Sequence, residues 1–317
     1  MQFPEYRARR VRASRALRRV VRETSLALSD LLLPVHIVEG KNQQRLLSGS
    51  GGVEALSVDK LGALADEAAS LGIAGFVVHV ELGGERDPRA GGATRVDGVA
   101  VQAIDAIKQQ RPELMVVGDL SLAGYTPEAQ DGLVRGDGVV PNEDSVEVLG
   151  EMALLLCEAG ADALAARAMM DGLVGYVRET IDEAEHEHVA IIAASARYAS
   201  GWGARDASDT DRTYLLDAGD ARAALRELTL DASEGADMLM VEPALAYLDV
   251  LLRAREEFDL PLLAASTIGE HAAVELLAEH SGRTRDALVL ENLISMRRAG
   301  ADAIVTYHAL VAARALS

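Results

Sequence analysis

At 317 residues and 49% hydrophobic side chains, the chain can bury a core large enough for one big domain or two ordinary ones. A formal net charge of −19 repels phosphate backbones and anionic headgroups, which excludes nucleic-acid or membrane-surface binding except through a local basic patch. The single cysteine, Cys157, excludes an intramolecular disulfide and a thiolate metal cluster.

The first 22 residues supply the one basic patch, with Arg7, Arg9, Arg10, Arg12, Arg15, Arg18, Arg19 and Arg22 set among Tyr6, Val11, Leu17, Val20 and Val21. The pattern fits an RNA-binding arm or a helix docked on an acidic neighbouring subunit. The acidic remainder of the chain favours the subunit arm. The Arg-rich start lacks the apolar core of a signal peptide and no apolar run approaches a membrane span, so the expected location is cytoplasmic, with no nucleic-acid or membrane partner.

Beyond the arm, short apolar runs alternate with longer amphipathic segments. The runs are Leu31 to Val38, Gly75 to Val80, Met115 to Leu120, Ala163 to Ala166, Val189 to Ala194, Met238 to Val241, Leu260 to Ala265 and Ala303 to Tyr307. Helical patterns between them include Val58 to Leu71, Val99 to Gln110, Ser145 to Ala159, Ala221 to Glu234 and Ala246 to Phe258. This is the rhythm of a parallel sheet with helical crossovers, and eight such units predict an α/β fold, a (β/α)8 TIM barrel over residues 31–317 with an N-terminal oligomerisation arm over residues 1–30. Gly83 to Asp97 and Gly201 to Arg212 follow strand ends and read as mouth loops or a lid. Cys157 lies in an apolar helical stretch and reads as a buried, inert thiol.

Chemistry in such barrels sits at the carboxyl ends of the strands. There the chain places Asp119, Asp171, Arg197, Glu242, Ser266 and Tyr307. Each alone could be an ordinary strand-end polar residue facing water; six on one face predict a site.

The segments Ala194-Ser-Ala-Arg197-Tyr-Ala-Ser200, Asp211-Arg-Thr-Tyr214, Gly235-Ala-Asp-Met-Leu-Met-Val-Glu242-Pro-Ala-Leu245, Met169-Met-Asp-Gly172, Gly269-Glu270 and Thr306-Tyr307 resemble the porphobilinogen synthase family, also called 5-aminolevulinate dehydratase. The resemblance runs from Tyr6 to about Ala315. It implies the same barrel, an arm that embraces a neighbour, and assembly as homo-oligomers from dimer to octamer. The family reads Ser-Ala-Lys-Tyr and Met-Val-Lys-Pro where this chain has Arg197 and Glu242, and those lysines form imines with two molecules of 5-aminolevulinate. Lysine occurs here only at positions 41, 60 and 108, so the family's condensation is not expected. The positions that hold three cysteines in zinc-using relatives read Ser121, Ala123 and Asp131, too few ligands for a catalytic metal. Arg205 and Tyr307 match family residues that bind substrate carboxylates, whereas Ile268, Leu215 and Ala168 replace polar ones. Glu270 matches a residue that orients a remote hydrated magnesium ion in many bacterial relatives; no other cofactor is expected.

Arg197 and Glu242 should face each other across adjacent strands within reach of a salt bridge. The expected function is a repurposed lyase or hydratase acting on a small carboxylic acid, with Glu242, Arg197 and Asp119 catalytic and Arg205, Tyr307, Asp171 and Ser266 binding the substrate. The alternatives are a plugged, non-catalytic barrel that binds a metabolite or co-assembles with an authentic synthase, and, third, an active synthase. His36, His271 and His308 lie in or beside strand runs and read as hydrogen-bonded core residues or as metal ligands. Glu185-His-Glu-His188 precedes a strand and reads as a solvated loop at the opposite end of the barrel.

Overall fold

A computed structural model describes residues 3–83, 86–203 and 212–316. Its strands are β1 (Leu31–Val38), β2 (Gln44–Leu46), β3 (Glu54–Ser57), β4 (Gly75–Val80), β5 (Met115–Leu120), β6 (Ala163–Ala166), β7 (Ala190–Arg197), β8 (Met238–Glu242), β9 (Leu262–Ala265) and β10 (Ala303–Val305). Its helices are α1 (Arg15–Val20), α2 (Leu61–Leu71), α3 (Val99–Gln110), α4 (Asn142–Glu158), α5 (Leu173–Glu183), α6 (Ala221–Glu234), α7 (Leu248–Glu257), α8 (Ile268–Ser281), α9 (Arg285–Arg298) and α10 (Ala309–Leu316).

The parallel order β1-β4-β5-β6-β7-β8-β9-β10 closes into a ring because β10 also pairs with β1, Leu31 opposite Ile304 and Leu32 opposite Val305. The expected TIM barrel is therefore present, and four of the expected runs coincide with β1, β4, β5 and β6 at both ends. Expected runs at Val189, Leu260 and Tyr307 overreach by one or two residues, where the chain is still entering or has already left the ladder. The β2–β3 hairpin was not anticipated. β2 is fully exposed and lacks a core-facing stripe to announce it, and β3 takes the free edge of β1 above β10, pairing with His36 to Val38.

Two cores follow from strand alternation. Outward-facing residues pack against the helices, including Leu31, Leu33, Phe76, Val116, Leu164, Ile191, Leu239 and Ile304. Inward-facing residues fill the barrel: Leu32, Val77, Val117, Ala163, Ala165, Ile192, Ala194, Met240, Leu263, Ala265 and Val305. Alanines on β6, β7 and β9 leave space above this layer for large polar side chains.

Residues 3–30 carry no buried side chain, and Phe3, Tyr6, Val11, Leu17, Val20 and Val21 are exposed there beside the arginines. Ser14 caps α1 by accepting a hydrogen bond from the Leu17 amide. Among the described residues no helix is long and apolar enough to cross a membrane. Cys157 is buried as expected, and burial pushes its thiol up to about 12.

Candidate active site at the barrel mouth

The inward parity of each strand, continued one step past the apolar layer, selects the side chains of the mouth. Pro34 leads to His36, Val77 to His79, Val117 to Asp119, Ala165 to Arg167, Met240 to Glu242 and Val305 to Tyr307, and all of these line one cavity of about 190 Å³. β7 reaches the same layer differently. Its pairing with β8 shifts between Ala193 and Ala196, which changes parity after Ala194 and brings Arg197 opposite Glu242.

Arg167 is the hub. Its Nη2 and Nε donate to Oε1 and Oε2 of Glu242 at 2.8 and 3.1 Å, and its Nη1 donates to Asp119 Oδ2 at 3.0 Å. Arg197 donates through Nη1 to Asp131 Oδ2 at 2.7 Å and to the Arg167 carbonyl at 2.9 Å. Its Nε lies 3.6 Å from Glu242 Oε1, so the expected pairing across adjacent strands is present but is the weaker contact of each partner. Asp119 Oδ2 also takes His79 Nδ1 at 2.6 Å, while its Oδ1 is buried with no partner among the described residues.

Two guanidiniums thus face three carboxylates. Burial alone would raise the carboxyl groups of Asp119, Asp131 and Glu242, but the adjacent guanidiniums override it and hold all three below the usual carboxylate range. The acids are therefore anions. Asp131 is further fixed by Ser121 Oγ at 2.7 Å and the Tyr214 hydroxyl at 3.0 Å. This set does not fit a catalytic cation: the one carboxylate at the family's zinc position is consumed by Arg197.

Across the mouth, His36 Nε2 lies 2.8 Å from the Tyr307 hydroxyl, with the rings stacked at 11°. Burial drives His36 down to about 3, so this imidazole is neutral, and its Nδ1 has no partner among the described residues. Burial raises the Tyr307 hydroxyl, so it is a protonated donor. Arg212 lines the cavity rim, donating Nη2 to the Ala129 carbonyl at 3.1 Å, while its buried Nε has no partner among the described residues.

Of the residues expected from sequence, Glu242, Arg197, Asp119, Tyr307 and Ser266 line the cavity, as do Ile268 and Leu215. Asp171 does not: it is exposed, and its backbone is tied to the Asn142 side chain. The reason is the short β6, which ends at Ala166, so that Asp171 belongs to the turn before α5 rather than to the strand end. Arg205 lies outside the described residues. Glu270 is buried away from the mouth, its Oε2 accepting the Thr267 amide at 2.7 Å and its Oε1 the Leu245 amide at 2.8 Å. A carboxylate turned onto amide donors caps α8 and does not fit the open oxygen shell magnesium takes. The three expected histidines separate: His36 joins the mouth, while His271 and His308 lie against each other elsewhere, ring centroids 4.2 Å apart and planes tilted by 32°.

His79, Arg167 and Arg212 were missed by sequence reasoning. The signal for the first two was present as the inward alternation Val77-Val78-His79 and Ala165-Ala166-Arg167. All three lysines lie elsewhere: Lys108 pairs with Asp162 at 3.0 Å below the strands, and neither Lys41 nor Lys60 lines the cavity.

Residues 5–315 match the family described as Delta-aminolevulinic acid dehydratase. The Delta-aminolevulinic acid dehydratase of Synechococcus elongatus is 40% identical, covering 99% of this chain and 100% of its own length. That of Bacillus subtilis is 37% identical, covering 98% of each. The crystal structure of the Toxoplasma gondii enzyme, in complex with the reaction product porphobilinogen, superposes with a TM-score of 0.93 at 35% identity, covering 99% of this chain and 91% of that one.

Proposed function

From the premise that this chain belongs to the delta-aminolevulinic acid dehydratase family, we propose that it acts on a small carboxylic acid by acid–base chemistry and forms no imine with 5-aminolevulinate. The observation that carries this reading is the Arg167–Glu242 pair: where imine chemistry needs a free amine, the mouth holds a guanidinium locked on a carboxylate, and no lysine lines the cavity. A guanidinium stays protonated and cannot attack a carbonyl.

Glu242 and Asp119 are engaged as anions, so the mobile proton falls to His79. Ionised Asp119 accepts the Nδ1 proton and leaves Nε2 as the basic nitrogen. In an elimination, His79 takes a proton from the carbon beside the substrate's carbonyl or carboxyl group, a carbon–carbon double bond forms, and the same proton leaves with the departing hydroxyl as water. Arg197 Nη2, which makes none of the bonds above, would hold the substrate carboxylate by a charge-assisted hydrogen bond, and the Arg212 guanidinium at the cavity rim would add positive charge beside it. Tyr307 would donate a hydrogen bond to the reacting oxygen.

Incubation with 5-aminolevulinate and borohydride, followed by intact mass, is expected to leave the mass unchanged, and no pyrrole should form. A trapped adduct would overturn the reading. Calorimetric titration of hydroxy and oxo acids is expected to give binding to the wild type that Arg197→Ala and Arg212→Ala weaken; no binding to any protein would favour a non-catalytic chain that co-assembles with an authentic synthase. That alternative draws support from the mutual neutralisation of Arg167 and Glu242, a costly buried pair that can simply fill a barrel. The exposed arm over residues 3–30 supports homo-oligomer assembly, and removal of residues 1–22 is expected to lower the mass measured by light scattering.

A further inference from the structure

We propose that His271, Glu275 and His308 form a binding site for one zinc ion, separate from the barrel mouth. His271 and Glu275 sit one turn apart on α8 and so share a face of the helix, and His308 follows β10 just before α10. One ligand atom from each lies within 4.8 Å of the others. His308 Nε2 is already 2.8 Å from Glu275 Oε1, the two histidines are 6% and 5% exposed, and His271 Nδ1 is buried with no hydrogen-bond partner among the described residues.

Two imidazoles and a carboxylate are a zinc donor set, whose fourth position takes water. Room for that water exists: a cavity of about 10 Å³, lined by His271, His308, Glu270 and Asn292 among others, adjoins the cluster. That is roughly the space of one water molecule. Tetrahedral bonds of about 2.1 Å put ligand atoms about 3.4 Å apart. The side chains therefore close up by small rotations, and His308 Nε2 gives up its contact with Glu275 Oε1 to bind the ion. Arg285 also pairs with Glu275, at 2.7 Å, but it and His308 both use Oε1 and leave Oε2 to the ion. A lone carboxylate already facing an arginine disfavours magnesium and calcium, which need several oxygen ligands, and favours a nitrogen-preferring metal. Glu270 is no ligand, since its oxygens are held by the Thr267 and Leu245 amides. Bound zinc would pin α8 to the segment that leads into α10.

The test is titration of the chelator-treated full-length protein with Co²⁺, whose visible absorption reports tetrahedral nitrogen ligation, followed by displacement with Zn²⁺. One equivalent is expected to bind with an intense visible band and to raise the melting temperature. Glu275→Gln, which removes a ligand itself, should weaken binding by at least about 100-fold, the upper end of the loss when only a ligand's hydrogen-bond partner is removed. His271→Gln with His308→Asn should abolish it. Half-buried His186 and exposed His188, in the turn before β7, provide a control away from this cluster: His186→Ala with His188→Ala should bind as wild type does. Absence of stoichiometric binding in the wild type, or its loss in the His186/His188 variant, would overturn the proposal. Retention of full affinity by the folded His271/His308 variant would do the same. None of these readouts depends on the reaction at the mouth.

Discussion

Arg167 Nη2 and Nε close a two-bond clamp on Glu242 at 2.8 and 3.1 Å, joining the ends of β6 and β8 across the intervening β7. The same guanidinium reaches Asp119 on β5, so one side chain holds two strand ends and two carboxylates. A small residue at position 167 would leave both acids facing each other across the cavity.

Removing Arg167 therefore unmasks buried charge. Arg167→Met is expected to cost about 3–5 kcal/mol, the usual penalty for stranding one partner of a buried pair. The double variant Arg167→Met/Glu242→Met should recover part of that loss, because Glu242 is gone along with its partner while Asp119 keeps only its contact with His79. Urea denaturation of the two single variants and the double gives the coupling directly; equal losses in Arg167→Met and the double variant would contradict the hub role.

The Asp119–His79 contact makes a second expectation that needs no substrate. An ionised carboxylate 2.6 Å from Nδ1 requires a proton on that nitrogen. Nitrogen-15 chemical shifts of the neutral His79 ring should report the Nδ1–H tautomer in the wild type. Asp119→Asn should release the preference and slow any acid–base turnover, with Glu242 still bound to Arg167. A His79 ring found as the Nε2–H tautomer in the wild type would remove it as the base.

How much of this was legible before the fold was in hand follows from parity. Because strands place residues i and i+2 on one face, the barrel lining and the strand-end positions of Asp119, Glu242 and Tyr307 could be read from the apolar runs alone. His79 and Arg167 obey the same rule, two residues beyond the inward Val77 and Ala165, but Arg167 lies one residue past the end of β6, where the apolar run has already stopped. Arg197 breaks parity and reaches the mouth only through the irregularity at Ala193 and Ala196, which no local pattern announces. Asp131 and Arg212 come from loops, and their meeting at the cavity depends on how those loops fold over the barrel.

Loop placement yields a third prediction. Gly124, in the loop after β5, packs so closely on the end of β4 that an added methyl would collide with the Val80 carbonyl. Gly124→Ala should push the 121–131 loop outward, pulling Asp131 and its neighbour Ser121 away from Arg197. Loss of about 1–3 kcal/mol is the usual scale for overpacking. The diagnostic result is weaker ligand binding than an equally destabilised core variant such as Leu149→Ala, which lies in α4 away from the mouth. Equal binding by the two would mean the loop does not position the site.

The last prediction concerns pH and a carboxyl group outside the mouth. Asp231 on α6 bonds to the Ser195 side chain but is otherwise held in a poor setting: burial, with Glu234 and Glu227 nearby, pushes its carboxyl up to about 7 against the help that Ser195 gives the anion. The unfolded chain ionises near the ordinary aspartate value, so between about pH 4 and about pH 7 the folded state keeps a proton that the unfolded state has released. Stability from this group is thus complete at acid pH and falls as pH rises through that window. Asp231→Asn removes the titration. The variant should gain on the wild type by up to about 2–3 kcal/mol between about pH 5 and about pH 8, with the gain appearing on the alkaline side. Urea midpoints at the two pH values measure it, and a variant that loses ground toward alkaline pH would show that Asp231 is stabilising as an anion and that its charge is satisfied in the fold.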